Sequence, residues 1–533
     1  MKAYLLAKLQ RIWLFARFWL LVKAVIGMAL GAFVVALLWQ QEYVFAIIFT
    51  LLGCSGLWVY SSVKGKPYRL LYPAFAFVVC FTLVPLLFTV FISFTNYSAS
   101  HGASLQRTTD LLLEQTFAQG KRYQYSLLFD GSLYRLKLYH GAHTFVSNHF
   151  SLKQDEVSEL QLKPGGSGLF LAKTSLKEQL TFRQLYGAQT LILPTGERIQ
   201  RIDFQHYSQF QPLYQQLKEG VVLTNGDMLT DAYTLLNKQT NALLRPNIAS
   251  GYYQHIDQQG EFIGEPIAPG FVQFAHLSHY REVLSKDHIF NPLVSILIWT
   301  FSFALLSLLG ALFVGMILAV LTSQKNVIGA GIYRAILLLP WALPPFITIL
   351  TFKVLLHPHG GQLTMLLEAL FHVKIDWMTD PAVARSLVLF VSVWLGYPYI
   401  MLLCIASLRS IPSVLYESAR IAGHGIISQF LRITLPQLIK PLKPVLLALF
   451  ALNLNNFVLV YFLTDGGPGI AGSFPSAGYT DLLLNYVFDT AFGAQQNYAL
   501  AAAVTCLGLC FISVLAFFCW KALAPHNRYE RLE

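Results

Sequence analysis

A chain of 533 residues that is 55% hydrophobic and only 12% charged, with a mean hydropathy of +0.52, is not a soluble globular protein; such a protein carries about twice that charge. Its net charge of +11 does not point to nucleic acid, because Lys and Arg stand beside apolar runs, where they set orientation in a membrane. The composition is that of a polytopic membrane protein.

Eight apolar runs approach the roughly 20 residues needed to cross about 30 Å of hydrocarbon. They lie near 20–39, 43–60, 71–95, 291–321, 333–356, 386–408, 442–463 and 498–522. The second is short, and the fourth is long enough to tilt or protrude. Lys2, Lys8, Arg11, Arg17 and Lys23 precede the first run, which is long and has no small-residue cleavage site after it. The sequence therefore predicts a cytoplasmic N-terminus without a cleavable signal peptide. Lys64, Lys66 and Arg69 follow the second run, and Lys325 and Arg334 the fourth. Arg409, Arg420, Arg432, Lys440 and Lys443 lie in the loop after the sixth, up to the first residues of the seventh run, and Lys521, Arg528 and Arg531 close the chain. Every second connection is basic, so both termini are expected inside.

The long loop 96–288 then falls outside. It has no spanning run, and its aromatic and aliphatic content predicts a folded, β-rich domain. Tyr123–Phe129 and Ser132–Tyr139 alternate around Asp130-Gly131 as a hairpin does. Leu191–Leu193 and Arg198–Phe204 flank Pro194-Thr195-Gly196, and Asn225-Gly226 offers a further tight turn. No solenoid repeat or low-complexity tract is present. The expected fold is an all-α polytopic membrane protein of about eight transmembrane helices with this β-rich domain inserted between spans 3 and 4. The domains are 1–95, with three helices, 96–288, and 289–533, with five helices.

All six cysteines, Cys54, Cys80, Cys404, Cys506, Cys510 and Cys519, lie in apolar runs. Disulfides in the outer loop are excluded, and no metal site built on Cys is expected. Cys506 and Cys510 share a helix face as small apolar packing residues do. His357-x-His359 reads as an interface turn, and Asp376 and Asp380 as solvated. No phosphate-cradling Gly-x-x-x-x-Gly-Lys-[Ser/Thr] and no nucleophile elbow occur. No cofactor and no catalytic role are expected, and any ATP that drives the protein must bind another chain.

Polar groups inside the spans are the next signal. The fifth contains Leu339-Pro340-Trp341-Ala342-Leu343-Pro344-Pro345, whose prolines must kink or break it. The sixth contains Trp394-Leu395-Gly396-Tyr397-Pro398-Tyr399. The seventh carries Asn453, Asn455 and Asn456; at helical spacing Asn453 and Asn456 share a face and Asn455 points elsewhere. Amides in hydrocarbon need partners or water. Two readings stay open: interhelical hydrogen bonds, or the wall of a polar cavity that binds an uncharged solute such as a sugar. Trp394 and Tyr399 likewise fit either an interfacial aromatic belt or ring faces for a sugar.

The stretch 411–441 is polar and basic. Pro412 can open a helix, with Leu415, Ala419 and Ala422 on one face. Gly423-His424-Gly425 stops it, and a second short helix from Ile426 should end at Leu435-Pro436. From physics alone this is either an ordinary cytoplasmic loop or a surface elbow anchored by Glu417. The pattern Glu417-x-Ala419-x-x-x-Gly423, nine residues, then Ile433-x-Leu435-Pro436 resembles the EAA loop of bacterial ABC importer permeases, with Ser418 where Ala is usual. That resemblance implies that Glu417, Ser418, Ala419, Gly423, Ile433, Leu435 and Pro436 couple to an ATPase.

With Phe94-Thr95-Asn96-Tyr97-Ser98, Thr464-Asp465-Gly466-Gly467-Pro468 and Ala477-Gly478-Tyr479-Thr480-Asp481 added, residues of about 70–525 resemble the MalF family. These are the larger permease subunits of maltose/maltodextrin ABC importers. The resemblance implies a bacterial inner membrane and makes the outer loop a periplasmic domain. It also implies a second permease subunit of the MalG kind, two ATPase subunits of the MalK kind, and a periplasmic maltose-binding protein. An oligosaccharide would bind Asn453, Asn456, Tyr399, Gly396, Leu395 and Trp341. Four departures, Trp341, Pro345, Ser392 and Leu449, remove hydroxyl or amide contacts usual in the family. Two other classes fit the sequence less well. A membrane-anchored sensor or assembly protein would need a cytoplasmic output domain, and the longest inner segment is the elbow itself. An ion-coupled transporter would need carboxylates within the spans.

Overall fold

A computed structural model describes residues 22–523 apart from 41–42, 132, 142, 153–159, 166–171, 187–188, 204, 218–220, 223–227, 230–232, 325–326 and 373–375. Lys2, Lys8, Arg11, Arg17, Lys325, Arg528, Arg531 and the Asn225-Gly226 turn lie outside the described residues. The chain divides into two compact units. One comprises Met1–Phe94, Tyr280–Val487 and Leu500–Glu533; the other, Thr95–His279 and Phe488–Ala499.

The first unit opens with α1 (Val22–Trp39), α2 (Tyr43–Ser61) and α3 (Tyr72–Ile92). Their apolar side chains, such as Leu51, Phe81 and Phe88, face outward, as a hydrocarbon solvent allows. Within α3 the turn Val79–Leu83 is a π turn, and the Val84 N–H reaches back five residues to the Val79 carbonyl. Pro85 follows directly. Its ring would crowd the carbonyl four residues back, and widening the preceding turn by one residue moves that carbonyl aside.

The second unit begins with α4 (Leu105–Leu113), capped by the Ser104 hydroxyl, which accepts the Arg107 N–H. Its strands are β1 (Thr116–Phe129), β2 (Tyr134–His140), β3 (His143–Ser147), β4 (Leu162–Pro164) and β5 (Ala172–Lys173). Then come α5 (Leu176–Tyr186), β6 (Leu191–Ile192), β7 (Arg198–Arg201), β8 (His206–Pro212), β9 (Tyr214–Gln216), β10 (Val221–Val222) and β11 (Met228–Leu229). The last four are β12 (Leu235–Asn237), β13 (Leu243–Asn247), β14 (Tyr252–Ile256) and β15 (Phe262–Ile267). One antiparallel sheet runs β4-β3-β2-β1-β8-β7-β6 with β5 on β1, and another runs β15-β14-β13-β12-β9. The hairpin at Asp130-Gly131 forms as predicted: Phe129 pairs with Tyr134, and the Asp130 carboxylate accepts the Leu133 N–H at 2.9 Å. β6 and β7 form the second predicted hairpin, with Gly196 at φ +83° in its turn. Leu136 and Leu138 alternate inward from β2 and pack with Ile199, Phe182 and Tyr186. The helix that supplies Phe182 and Tyr186, α5, is an addition to the predicted β-rich picture.

The first unit resumes within α6 (Ser278–Ser285) and continues through α7 (Asp287–Thr322), α8 (Ala330–Leu337), α9 (Leu339–Ala342), α10 (Pro345–Leu355) and α11 (Gln362–Phe371). It goes on with α12 (Pro381–Arg409), α13 (Ser413–Ile421), α14 (Ile426–Leu454), α15 (Phe457–Leu463), α16 (Leu483–Phe492) and α17 (Tyr498–Leu523). Among the described residues seven helices are long and apolar enough to cross a membrane, namely α1, α2, α3, α7, α12, α14 and the Tyr498–Leu515 stretch of α17. The predicted fifth span, 333–356, is three pieces, α8, α9 and α10, because Pro340, Pro344 and Pro345 interrupt the ladder. The predicted seventh span, 442–463, is corrected as well. Its helix starts far earlier, at Ile426, and stops at Leu454, and α15 takes up after a two-residue break.

The 36-residue α7 would measure about 54 Å at 1.5 Å per residue, more than hydrocarbon alone requires. It packs along α12 through missing side chains. A Cβ on Gly315 would lie 2.9 Å from both the Tyr397 carbonyl oxygen and the Met401 nitrogen, and one on Gly310 2.6 Å from Val393. Small residues at such crossings let helices approach where lipid gives no hydrophobic drive. At the start of α12 the Asp380 carboxylate accepts the N–H groups of Ala382 and Val383, so this exposed acid is a helix cap.

Candidate functional site

The elbow is built from a complete helix stop. Gly423 has φ +80°, the left-handed region open to glycine. The Gly423 N–H donates to the Arg420 carbonyl at 3.0 Å and the His424 N–H to the Ala419 carbonyl at 2.9 Å, which are the two bonds of a Schellman motif. Beyond the stop, Gln429 Nε2 donates to the His424 carbonyl at 2.7 Å. The Tyr416 hydroxyl meets the Thr434 hydroxyl at 2.9 Å and ties the two arms together.

The second arm differs from expectation. It does not end at Leu435-Pro436 but is the first part of α14. A π turn at Phe430–Thr434, with the Leu435 N–H bonded to the Phe430 carbonyl, widens the helix just before Pro436, the same device as at Pro85. A proline preceded by such a turn does not terminate the helix.

Glu417, Ser418, Gly423 and Pro436 are exposed; Ala419 is buried; Ile433 and Leu435 are half-buried. Leu435 packs with Leu438, Leu442, Met401 and Cys404, which fixes the elbow to α12. Of the expected apolar face, only Ala419 is covered; Leu415 and Ala422 are exposed. Three residues escaped the sequence reading. Ile421, Ile426 and Ile427 are 90, 86 and 76% exposed around the turn. Bulky aliphatics flanking glycines in a basic loop were the available signal, and an apolar surface beside an exposed carboxylate suits a protein partner.

The polar span residues occupy the breaks. Asn453 sits in the last turn of α14, Asn455 at its C-cap, and Asn456 directly before α15. The expectation that Asn453 and Asn456 share a helix face does not survive, because the helix ends between them at Leu454. The chain leaves the helix at Asn455 with φ −110°, a stop that spacing alone does not show. Both side chains are half-buried, while Asn455 is exposed and its Nδ2 donates to the Ala451 carbonyl at 3.2 Å. Trp341 on α9 and Tyr399 on α12 come together, with ring centroids 6.1 Å apart and planes tilted by 46°. Leu395 packs against the cluster of Trp299, Phe303, Val391 and Leu459. Gly396 faces α7, where a Cβ would lie 3.3 Å from that of Ala311. Of the departures, Ser392 is buried and Leu449 packs in the cluster around Met401. The break in the fifth span has its own support: the Tyr397 hydroxyl donates at 3.0 Å to the Leu337 carbonyl at the end of α8.

The motifs 464–468 and 477–481 fold against each other. The Thr464 and Thr480 hydroxyls lie 2.8 Å apart, Thr480 also donates to the Gly467 carbonyl at 2.8 Å, and Asp481 accepts the Gly478 N–H at 2.6 Å. Trp299 Nε1 donates to the Thr480 carbonyl at 3.2 Å, and Arg385 Nε to the Tyr479 carbonyl at 2.8 Å. The Arg385 guanidinium stands 4.8 Å from the Trp299 ring centre. This joint fastens α7, α12 and the 464–481 connection. His357 and His359 form a turn closed by the His359 N–H on the His357 ring at 3.2 Å. No cluster suited to a metal occurs among the described residues.

Residues 103–275 match the model of the maltose transport system permease protein MalF P2 domain, and 311–525 that of the binding-protein-dependent transport system inner membrane component. The maltose/maltodextrin transport system permease protein MalF of Shigella flexneri is 36% identical over 505 residues, 94% of this chain and 95% of that one. Its counterpart in Vibrio vulnificus strain YJ016 is 37% identical over 500 residues, 93% of each. A chain of a solved bacterial ABC transporter involved in the import of alginate overlays with a TM-score of 0.38 at 20% identity, over 48% of this chain and 85% of that one.

Proposed function

The chain belongs to the MalF family of maltose/maltodextrin permeases, and from that premise we propose how its parts divide the work of an ATP-driven importer. It is a translocating subunit in a multi-pass inner-membrane assembly. ATP hydrolysis resides on two separate ATPase subunits of the MalK kind, and a second permease subunit of the MalG kind completes the pathway. Both termini and the elbow face the cytoplasm, and the β-rich unit faces the periplasm, where it meets a binding protein that delivers maltose or maltodextrin.

The observation that carries this reading is the elbow. Its first helix and turn present Glu417, Ile421, Ile426 and Ile427 outward, while Leu435 and Leu438 fasten its base to α12. A partner gripping that surface moves α14 with it. Alternating access is a largely rigid-body change, and a firm joint transmits it. The solute is proposed to pass the Asn453–Asn456 break and the Trp341–Tyr399 pair, where amides take hydroxyls and rings take C–H faces. Leu395 and Gly396 would then act through the packing of α12 and not by contact. Affinity purification of the tagged chain from membranes tests the assembly, with recovery of an ATPase and a second permease expected. Reporter fusions at residues 200 and 425 should report opposite sides. Both on one side, or neither subunit recovered, overturns the reading.

A further inference from the structure

The first 94 residues contain a single carboxylate, Glu42, in the α1–α2 connection, while Lys23, Lys64, Lys66 and Arg69 all fall at the other end of the three helices. Between α1, α2 and α3 lies a cavity of about 780 Å³, within the usual range of roughly 300–1,000 Å³ for ligand sites. Leucines, Ile26, Phe49 and Ala76 make it apolar over most of its length, and Lys23 and Arg69 stand among its lining residues. Glycines shape it: a Cβ on Gly56 would touch the Tyr72 ring at 3.0 Å, and one on Gly53 would lie 3.3 Å from Leu30.

The tyrosines of the lining are already engaged. The Tyr60 hydroxyl donates to the Arg69 carbonyl at 2.9 Å, and the Tyr72 hydroxyl meets the Ser55 hydroxyl at 3.0 Å and the Leu52 carbonyl. Arg69 donates Nε to the Val59 carbonyl at 3.3 Å and Nη2 to the Ser62 carbonyl at 3.2 Å. These bonds cap α2 and aim the guanidinium, with further N–H groups to spare. Neither Lys23 nor Arg69 has a carboxylate partner among the described residues.

We propose that this cavity is a binding site for one anionic phospholipid, its phosphate held between Lys23 and Arg69 and an acyl chain in the groove. Beyond the Lys23 and Arg69 end, the hydroxyls of a sugar would face apolar lining without partners. A zwitterionic lipid would set its own ammonium beside two cations, whereas a phosphate with net negative charge answers both. This goes beyond the transport reading and does not depend on which sugar is carried.

The test uses the whole assembly in nanodiscs of equimolar phosphatidylcholine and phosphatidylglycerol, released by detergent and weighed by native mass spectrometry. Phosphatidylglycerol should be retained in preference to phosphatidylcholine. Lys23→Gln should weaken that retention about five-fold, the effect of one cation near a bilayer surface, and Ala76→Trp, which fills the groove without touching charge, should abolish it. Arg69→Gln is avoided because it would also uncap α2. Equal retention of the two lipids by the unaltered protein overturns the proposal, as does undiminished phosphatidylglycerol in both variants. So does a photoreactive residue at Ala76 that captures a protein instead of lipid.

Discussion

Gly423 offers the most discriminating perturbation, because backbone strain and surface contact can be separated there. Its φ is +80°, and a Cβ built on it meets nothing within 4 Å. Any cost of a side chain within this subunit is therefore conformational, about 1–2 kcal/mol in the left-handed region, and highest for a β-branched residue. Asparagine tolerates that region, so Gly423→Asn should leave the Schellman bonds from Gly423 to Arg420 and from His424 to Ala419 nearly intact. Gly423→Val should break them and shift the turn that presents Ile421 and Ile426. A loss of 1–2 kcal/mol is a factor of about 5–30 in the population of the docked geometry. Three measurements decide: uptake of labelled maltose in cells, ATPase retained on affinity purification, and proteolysis of the β-rich unit as a folding control. The expected order of uptake is Gly, then Asn, then Val, with retention falling in parallel and the β-rich unit unaffected. If Asn fails as badly as Val while retention collapses, the partner occupies the open space at Gly423 and contact dominates strain. Normal uptake and retention for Val would refute a coupling role for the elbow.

Asn453→Leu with Asn456→Leu should abolish uptake while assembly and basal ATPase persist; lost assembly would instead mark a structural pair. Asn455→Leu removes only the bond to the Ala451 carbonyl, about 1 kcal/mol, and should act mildly on uptake and on thermal stability alike. Gly396→Ala requires a shift of a few tenths of an ångström against Ala311, whereas Gly315→Ala meets backbone at 2.9 Å. Only the second should lower the melting temperature of the purified assembly markedly. Thr480→Val leaves the Gly467 carbonyl and the Thr464 hydroxyl short of a buried partner, costing about 1–3 kcal/mol, read as a lower melting temperature. His101 in the β-rich unit has its pKa lowered, chiefly by burial, with the Ser250 carbonyl opposing. Its neutral form is favoured in the fold, so its contribution is full above the ordinary value of about 6.5 and is lost as pH falls through the depressed folded value. Proteolytic resistance of that unit should therefore drop on acidification, and His101→Gln should flatten the drop.

What was legible in the sequence was local. Gly423-His424-Gly425 specified a left-handed stop, Asp130-Gly131 a hairpin, and Pro340, Pro344 and Pro345 a broken span, because each acts through its own backbone dihedrals. The misread features depend on the ladder around them. Pro436 looks like a terminator until the turn before it slips by one residue, and nothing in Phe430–Thr434 announces that slip. Asn453 and Asn456 looked like a helical pair because periodicity counts residues and does not notice where the helix ends. The α5 helix of the β-rich unit lacked a clear apolar stripe, and its burial of Phe182 and Tyr186 depends on strands far away in sequence. The Thr464–Thr480 joint is likewise a contact between distant segments, visible only once both are folded.

The corrected course of α14 changes how coupling has to be understood. With two separate short helices, the elbow would reach the solute path only through packing against α12. In the structure a single 29-residue helix leaves the elbow at Ile426 and ends at Leu454, about 43 Å later at helical rise, immediately before the Asn455-Asn456 break. The surface proposed to hold the ATPase and the amides proposed to touch the solute are thus the two ends of one rod. Its prolines, Pro436, Pro441 and Pro444, remove donors yet leave the helix continuous, and Leu438 and Leu442 bed it against Met401 and Cys404 of α12. α7 lies close against α12 at Gly315, whose absent Cβ would meet the Tyr397 carbonyl and the Met401 nitrogen, whereas the helical ladder is open elsewhere. Those places are the α14–α15 break, which holds Asn456 and follows Asn453, and the α8–α9–α10 breaks, which flank Trp341. The solute contacts proposed for this subunit thus stand beside the open places of the ladder, where fewer helical hydrogen bonds oppose a movement passed on from the elbow.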